Sequence, residues 1–415
     1  MTAYVPGIRL HEAFPERWPL SRFGALFREV QERNGTEPVG EPLSVSEYYG
    51  VVPRDLSAGQ MAAEDVSTYR VVRPGQLAAN MMWLNRCGLG VSQHTGYVSP
   101  AYKVFDISGA LAPPFADYLL RSTLFRAVFE SLGRGVRPNA QMVDTADLRS
   151  LPFPLPPLSD QRAITNYLDH ETALIDDLIE KQNALIERLR ERREHTIANA
   201  VTPTHASEDQ FVSIKRTLRR VDQGISPDTS TGDDSAEFWV LKTGASNRGG
   251  FDELESKPVP AEVDIPSGIE VQRGDLIASR ASGSPDLVGS VAMVGTISRR
   301  LILSDKNFRL VPKPSTLPRY LYWSLNSLSY RSQVRLAISG ADGLANNLPL
   351  SSLRRIRVWL PSFDEQRAIA DHLDRETAKI DELIAKVERH IELAKERRSA
   401  LITEAVTGQI DVGAA

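Results

Sequence analysis

The feature that most constrains this chain is a long segment that occurs twice. Residues 155–202, LPPLSDQRAITNYLDHETALIDDLIEKQNALIERLRERREHTIANAVT, return as residues 360–407, LPSFDEQRAIADHLDRETAKIDELIAKVERHIELAKERRSALITEAVT, without a gap and at a constant offset of 205 residues. About half of the positions are identical, a degree of self-similarity that chance does not produce and that makes the fold a duplicated one. The 415 residues therefore divide into a first globular segment, 1–154, a first helical segment, 155–202, a second globular segment, 203–358, and a second helical segment with a short tail, 359–415.

Both copies read as one long helix. Ile164, Leu168, Thr172, Ile175, Ile179, Gln182, Ile186, Leu189, Arg193, Ile197 and Ala200 follow one another in steps of three and four, which places them on a single coiled-coil seam. The second copy repeats the pattern from Ile369 and Leu373 through Ile380, Ile384 and Ile391 to Ala405. Gln182 and Arg193 are polar breaks in an otherwise apolar line. Pro157, Ser159 and Asp160 start the first helix and Pro203 ends it, while Asp364 and Glu365 start the second. Neither interior contains Gly or Pro, and about 40 residues at 1.5 Å each give a stiff rod of roughly 60 Å. Chain direction favours an antiparallel pair, because the first helix leads from one globular segment to the other and the second starts there. The expected fold is α+β: two globular α+β domains separated by two long antiparallel coiled-coil helices, with an internal pseudo-two-fold repeat.

The globular segments have diverged but keep their landmarks. VVRPGQLAAN, with Gly75 and Leu77, matches EVQRGDLIAS, with Gly274 and Leu276, and YKVFDI around Phe105 matches KNFRLV around Phe308. Each segment then has a proline-led helix, APPFADYLLRSTLF or LPRYLYWSLNSLSY, and a glycine-containing loop before the long helix. Runs such as YRVVR and SVAMVG predict short strands, whose order the sequence leaves open.

Composition narrows the function. One cysteine, Cys87, excludes an intramolecular disulfide or a cysteine-based zinc site and reads as a small buried residue, and the seven histidines show no short metal-ligand spacing. There is no apolar run of membrane-spanning length and no signal-peptide pattern at the start, so the expected location is cytoplasmic. The 49 basic and 53 acidic residues are unevenly placed: residues 155–202 carry 6 basic and 9 acidic and residues 359–415 carry 8 and 12, whereas residues 203–358 carry 20 and 17. The helices are acidic and the second globular segment has bases to set against phosphate.

The repeated DQRAI and EQRAI, each followed by LD-x-ET, and the closing KERRSALITEAVTG resemble the conserved helices of type I restriction-modification specificity subunits. The resemblance covers essentially the whole chain. It implies two target recognition domains, each reading one half of a bipartite site in double-stranded DNA, and helices that set the spacing and dock two modification (methyltransferase) subunits, with two restriction (translocase/nuclease) subunits joining them. It also implies a non-catalytic chain without cofactors of its own, S-adenosylmethionine, ATP and Mg²⁺ belonging to the partners. The residues agree: no GxxxxGK[ST] loop and no Asn-Pro-Pro-aromatic motif is present. Pro227-Asp228 with Glu255-Ser256-Lys257 fits a loose nuclease spacing, but its Ser, Thr, Asp and Gly neighbours mark a loop.

Base readout calls for Arg or Lys toward guanine and Asn or Gln toward adenine. In the first domain the candidates are Arg86, Gln93, His94, Lys103, Arg134, Arg137, Asn139 and Gln141. In the second they are Arg248, Arg280, Arg299, Arg300, Lys306, Asn346 and Asn347. Ser282, Gly283 and Ser284 read as a tight turn in preference to a phosphate cradle. Leu168, Ile175, Ile179 and Ile186 with Leu373, Ile380, Ile384 and Ile391 form the helix seam, and Leu178, Leu185, Leu383 and His390 lie outside it as candidate docking positions for the modification subunits. The competing readings are a two-headed adaptor that binds no DNA and a stand-alone nuclease.

Overall fold

The computed structural model describes residues 10–54, 65–134, 142–338, 346–410 and 412. The chain forms two compact units, one of residues 1–182 with 389–415 and the other of residues 183–388. Each unit thus combines one globular segment with part of both long helices.

In the first unit a four-stranded antiparallel sheet runs in the order Phe27–Val30, Tyr102–Ile107, Leu77–Asn80, Leu89–Val91. The second unit repeats that order with Leu218–Gln223, Asn307–Pro312, Leu276–Ser279 and Val291–Met293. The landmarks shared by the two sequences, around Leu77 and Leu276 and around Phe105 and Phe308, are the two central strands. In the first unit the middles of these strands are buried on both faces, Leu77 and Phe105 in one core and Ala78 and Val104 in another, so these side chains have the least freedom to diverge.

A second sheet in each unit contains one parallel contact, between Glu41-Pro42 and Gly96-Tyr97 in the first and between Trp239-Val240 and Leu301-Ile302 in the second. A short antiparallel pair closes each globular part beneath its long helix: Leu20–Arg22 with Pro152–Pro154, and Phe211–Ser213 with Arg357–Trp359. The first core is aromatic, with Phe23, Phe27, Phe105, Phe125 and Phe153 in mutual stacked or edge contact at centroid distances of 4.1 to 6.5 Å. The second is mainly aliphatic around Phe308 and the fully buried Tyr330, whose hydroxyl donates to Gly289 O at 2.8 Å.

Each proline-led helix is two helices, Pro113–Leu120 followed by Thr123–Leu132, and Pro318–Ser324 followed by Leu328–Ala337. The break has the same cause in both. Ser122 Oγ donates to Leu119 O at 2.7 Å and Ser327 Oγ donates to Ser324 O at 2.8 Å. Each Oγ also accepts the N–H of a residue three positions on, ending one helix and capping the next.

The long helices span Leu158–Val201 and Phe363–Val406, 44 residues each. The second begins in a capping box: Ser362 Oγ accepts Glu365 N–H, and the Glu365 carboxylate accepts Ser362 N–H at 3.0 Å. It ends at Gly408, whose φ of +71° suits glycine and whose absent Cβ leaves room for Pro15 and Trp18. Within the first unit, Ile164 and Leu168 share a core with Ile402, Ala405 and Val406; within the second, Ile197 and Val201 share one with Ala370 and Leu373. In both units the two helices therefore run antiparallel.

Candidate nucleic-acid interface

The site is built from its mount outward. Gln161 and Gln366, the glutamines of DQRAI and EQRAI, are fully buried where each long helix meets its globular part. Gln161 Oε1 accepts Ala112 N–H at 2.7 Å, and its Nε2 donates to Pro156 O at 2.8 Å and Ala110 O at 3.1 Å. Gln366 repeats the set with Leu317 N–H at 2.8 Å, Pro361 O at 2.9 Å and Ser315 O at 3.2 Å. One side chain thus fixes the long helix to the N-terminus of the proline-led helix, where backbone groups have no helical partner. A second link lies two turns on: Tyr118 Oη donates to Asp169 at 2.8 Å, and at the same offset Trp323 Nε1 donates to Asp374 at 2.8 Å. Burial pushes the Tyr118 phenol up to about 12, so it keeps the proton it donates.

The polar break at Arg193 also has a counterpart. Arg193 pairs with Asp381 at 2.9 Å within the second unit, and Arg398 pairs with Asp176 at 3.0 Å within the first. Both pairs link one long helix to the other at positions 205 residues apart. The first is more enclosed: Arg398 also lies over the Tyr48 ring at 4.5 Å, and Tyr48 Oη donates to Asp176. Of the seam residues, Leu168, Ile175, Ile186, Leu373, Ile380 and Ile391 are buried, and Ile179 and Ile384 are half-buried. Leu178, Leu185, Leu383 and His390 are exposed, as are Leu174 and Leu393.

The readout candidates do not form one surface. In the first unit Arg86 is exposed at the end of the short turn Leu84–Arg86, whereas Gln93 and His94 follow the strand Leu89–Val91, with Gln93 beside Pro113, Tyr118 and Asp169. Lys103 is half-buried and paired with Glu29 at 3.2 Å, and Arg134 is paired with Asp147 at 2.8 Å. Arg137, Asn139 and Gln141 lie outside the described residues.

In the second unit Arg280, Lys306, Asn346 and Asn347 come together. Arg280 N–H donates to Lys306 O at 2.8 Å, Arg280 Nη1 donates to Asp305 O at 3.1 Å, and Ala281-Ser282 pairs with Asn346-Asn347. Ser284 N–H donates to Ser282 Oγ at 3.2 Å and Asn346 Nδ2 to Gly283 O at 3.3 Å, the internal bonding of a turn. Arg299 and Arg300 sit apart from this group, over the Trp239 and Phe238 rings at 4.1 and 4.0 Å, with Arg300 also held by Glu270 at 2.9 Å. Arg248 occupies a third place, a left-handed turn with φ 48°.

A basic face of the second unit escaped the sequence reading. Lys215, Arg216 and Arg219 are exposed along the turn of helix Ile214–Thr217 and the strand after it. Backbone bonds from Lys215 N–H to Arg354 O and from Lys313 N–H to Thr217 O bring the exposed Arg354, Arg355 and Lys313 beside them. The run KRTLRR was the available signal. Such a face attracts polyanions without reading sequence. The equivalent helix of the first unit, Phe23–Leu26, has Gly24 and Ala25 where the second has Lys215 and Arg216. Arg309, by contrast, is a base spent internally, buried and paired with Asp222 at 2.7 Å and Asp275 at 3.3 Å.

The rival chemistry finds little support in the geometry. Asp228 is exposed with its carboxylate accepting Ser230 N–H at 2.9 Å in a local turn, and Glu255 lies 3.8 Å from Lys242. Among the described residues no three His, Cys, Asp or Glu side chains gather to hold a metal. Cys87 is buried, and burial pushes its thiol up, which makes it a poor nucleophile. No helix among the described residues is long and apolar enough to cross a membrane.

No family model matches the chain. Among curated proteins it is similar to the type I restriction enzyme EcoKI specificity subunit of Escherichia coli (strain K12), 22% identical over 313 residues, which cover 71% of this chain and 65% of that protein. It is also similar to the type I restriction enzyme StySPI specificity subunit of Salmonella potsdam, 25% identical over 176 residues, 41% of this chain and 36% of the relative. The chain's matches thus span slightly less than two thirds and about one third of the lengths of these relatives. Among solved structures, a chain from a study of complex assembly and conformational transition of the type I R-M system superposes with a TM-score of 0.70 at 17% identity, over 96% of this chain and 99% of that one. By sequence the chain is thus similar to specificity subunits of type I restriction enzymes, and its fold is that of a chain from a type I R-M system.

Proposed function

We propose that this chain is the DNA sequence-reading subunit of a type I restriction-modification complex, and that the globular part of each unit reads one half of a bipartite site in double-stranded DNA. The observation that carries the reading is the contrast between mount and face. The glutamine, the aromatic-to-aspartate bond and the arginine-aspartate pair recur at one offset in both units, while the surfaces they carry differ in charge and in aromatic content. That is the construction expected of two reading heads on a common holder. A two-headed adaptor without DNA would not explain the basic face of the second unit.

In this reading the long helices dock two modification subunits, and two restriction subunits complete the assembly. Leu174, Leu178, Leu185, Leu383 and Leu393, exposed outside the seam, are the apolar groups available for that docking. S-adenosylmethionine, ATP and Mg²⁺ act on the partners, and the chain contributes binding and specificity only. The test is reconstitution. The chain alone should neither methylate nor cleave DNA, and with modification subunits it should direct adenine methylation to one bipartite sequence. S-adenosylmethionine turnover by the chain alone, or methylation without sequence preference, would contradict the proposal.

A further inference from the structure

The first unit contains a recess of about 620 Å³ between its second sheet and the turn that follows strand Leu77–Asn80. Tyr69, Tyr97, Tyr102 and Trp83 line it together with Arg54 and Arg86. Tyr69 and Tyr97 meet edge to face at 5.9 Å. The Glu47 carboxylate, also at the recess, pairs with Arg126 at 2.6 Å.

Trp83 is the unusual member. Trp18, Trp323 and Trp359 are buried and Trp239 is covered by Arg299, but Trp83 is 47% exposed beside Met82 at 42%. Leaving half of so large an apolar side chain in water forgoes part of its burial contribution. Nor is it a loose side chain on a loose loop. Trp83 N–H donates to Asn80 O at 2.9 Å, and Trp83 O accepts Arg86 N–H at 3.0 Å and Gly88 N–H at 2.8 Å. Asn80 Oδ1 accepts Met82 N–H at 3.1 Å, and Leu84 anchors the turn in the core. A Cβ at residue 88 would stand 2.7 Å from Trp83 Cβ and O, so glycine is what lets the turn close. The backbone is shaped to hold an indole open to solvent.

An exposed indole among tyrosines, with arginines beside it, suits a flat aromatic ligand that carries phosphate. A base inside a duplex presents only its edge; its face becomes available when it leaves the stack. We infer that this recess takes one unstacked nucleobase of the half-site read by the first unit, stacked on Trp83, with Arg54 and Arg86 toward the flanking phosphates. Among the described residues, the second unit fills the equivalent position. Where its parallel strand pair puts the residue equivalent to Tyr97, it has Ile302, fully buried in an aliphatic core.

The inference rests on the DNA-reading function above, and its test separates the two. The full chain, with its modification subunits, is titrated with a duplex bearing the site mapped by adenine-methylation sequencing of the host. The series carries one mismatched base pair at a time, and the single strand is run as a further arm. A mismatch removes the cost of extruding a base, so at one position of the first half-site binding should tighten about tenfold. Trp83→Ala should abolish that gain, Trp83→Phe should keep part of it, and mismatches in the second half-site should give none. Specific duplex binding without a mismatch gain, or a gain that survives Trp83→Ala, overturns the recess proposal and leaves the reading function standing. Absence of any sequence-dependent binding overturns both, and tight binding of the single strand with no mismatch gain in the duplex assigns the recess to strand ends and overturns the extrusion step.

Discussion

The two units mount their globular parts by the same contacts yet offer different surfaces. The first is neutral at Gly24 and Ala25 and carries an aromatic recess around Trp83; the second is basic at the equivalent Lys215 and Arg216 and fills the position of Tyr97 with Ile302. A duplicated mount must stay duplicated at Gln161 and Gln366, because a buried amide that loses its partner is costly. An exposed face has no internal partner to satisfy and is free to diverge. The difference teaches where specificity can reside: in the side chains that the fold does not need.

The largest expected effect strikes the shared mount. Gln161→Ala or Gln366→Ala leaves one buried carbonyl, Pro156 O or Pro361 O, and two less covered backbone groups without their partner, and each substitution should cost about 2 to 3 kcal/mol in denaturant unfolding. Similar costs would support the common mount, and a cost confined to one copy would break the equivalence. Next comes the difference in charge. Replacing Lys215, Arg216 and Arg219 together by Ala should weaken DNA binding by about 2 kcal/mol at low salt and lower the slope of log affinity against log salt by about 2 to 3, with sequence preference unchanged. An unaltered salt slope would remove this face from the interface.

The smallest effect sharpens the contrast between the two ion pairs. Arg398 and Asp176 side chains are 16% and 35% exposed and share Tyr48, whereas Arg193 and Asp381 are 31% and 52% exposed. Asp176→Ala should therefore cost about 1 kcal/mol more than Asp381→Ala, since the enclosed pair is less screened and leaves a cation and a phenol without their acceptor. Equal costs would mean that Tyr48 adds nothing to the first pair.

The long helices were legible because a period sustained over eleven seam positions has no other reading, and because Pro203 and Asp364 mark an end and a start. The order of the strands was not: segments of three to six residues such as Leu77–Asn80 carry no record of their neighbours. The mount was half visible. Gln161 and Gln366 stood out as part of a repeated motif, but that their amides bond the backbone near Ala112 and Leu317 depends on a turn about fifty residues away. The site was the least legible part. A basic residue looks the same in sequence whether it faces solvent or, as Lys103 does, a carboxylate 74 residues off. Trp83 gave no periodic signal, and its exposure follows from a left-handed Cys87 and from Gly88.

The most direct test of the central claim exchanges one reading head. Residues 1–154 are replaced by the matching segment of a relative with a different mapped site, keeping Leu155 onward so that Gln161 and the long helices are unchanged, and adenine methylation is mapped by single-molecule sequencing. One half of the bipartite site should change to that of the donor while the other half stays as it was. A map in which both halves change, or neither does, would contradict the assignment of one half-site to each unit.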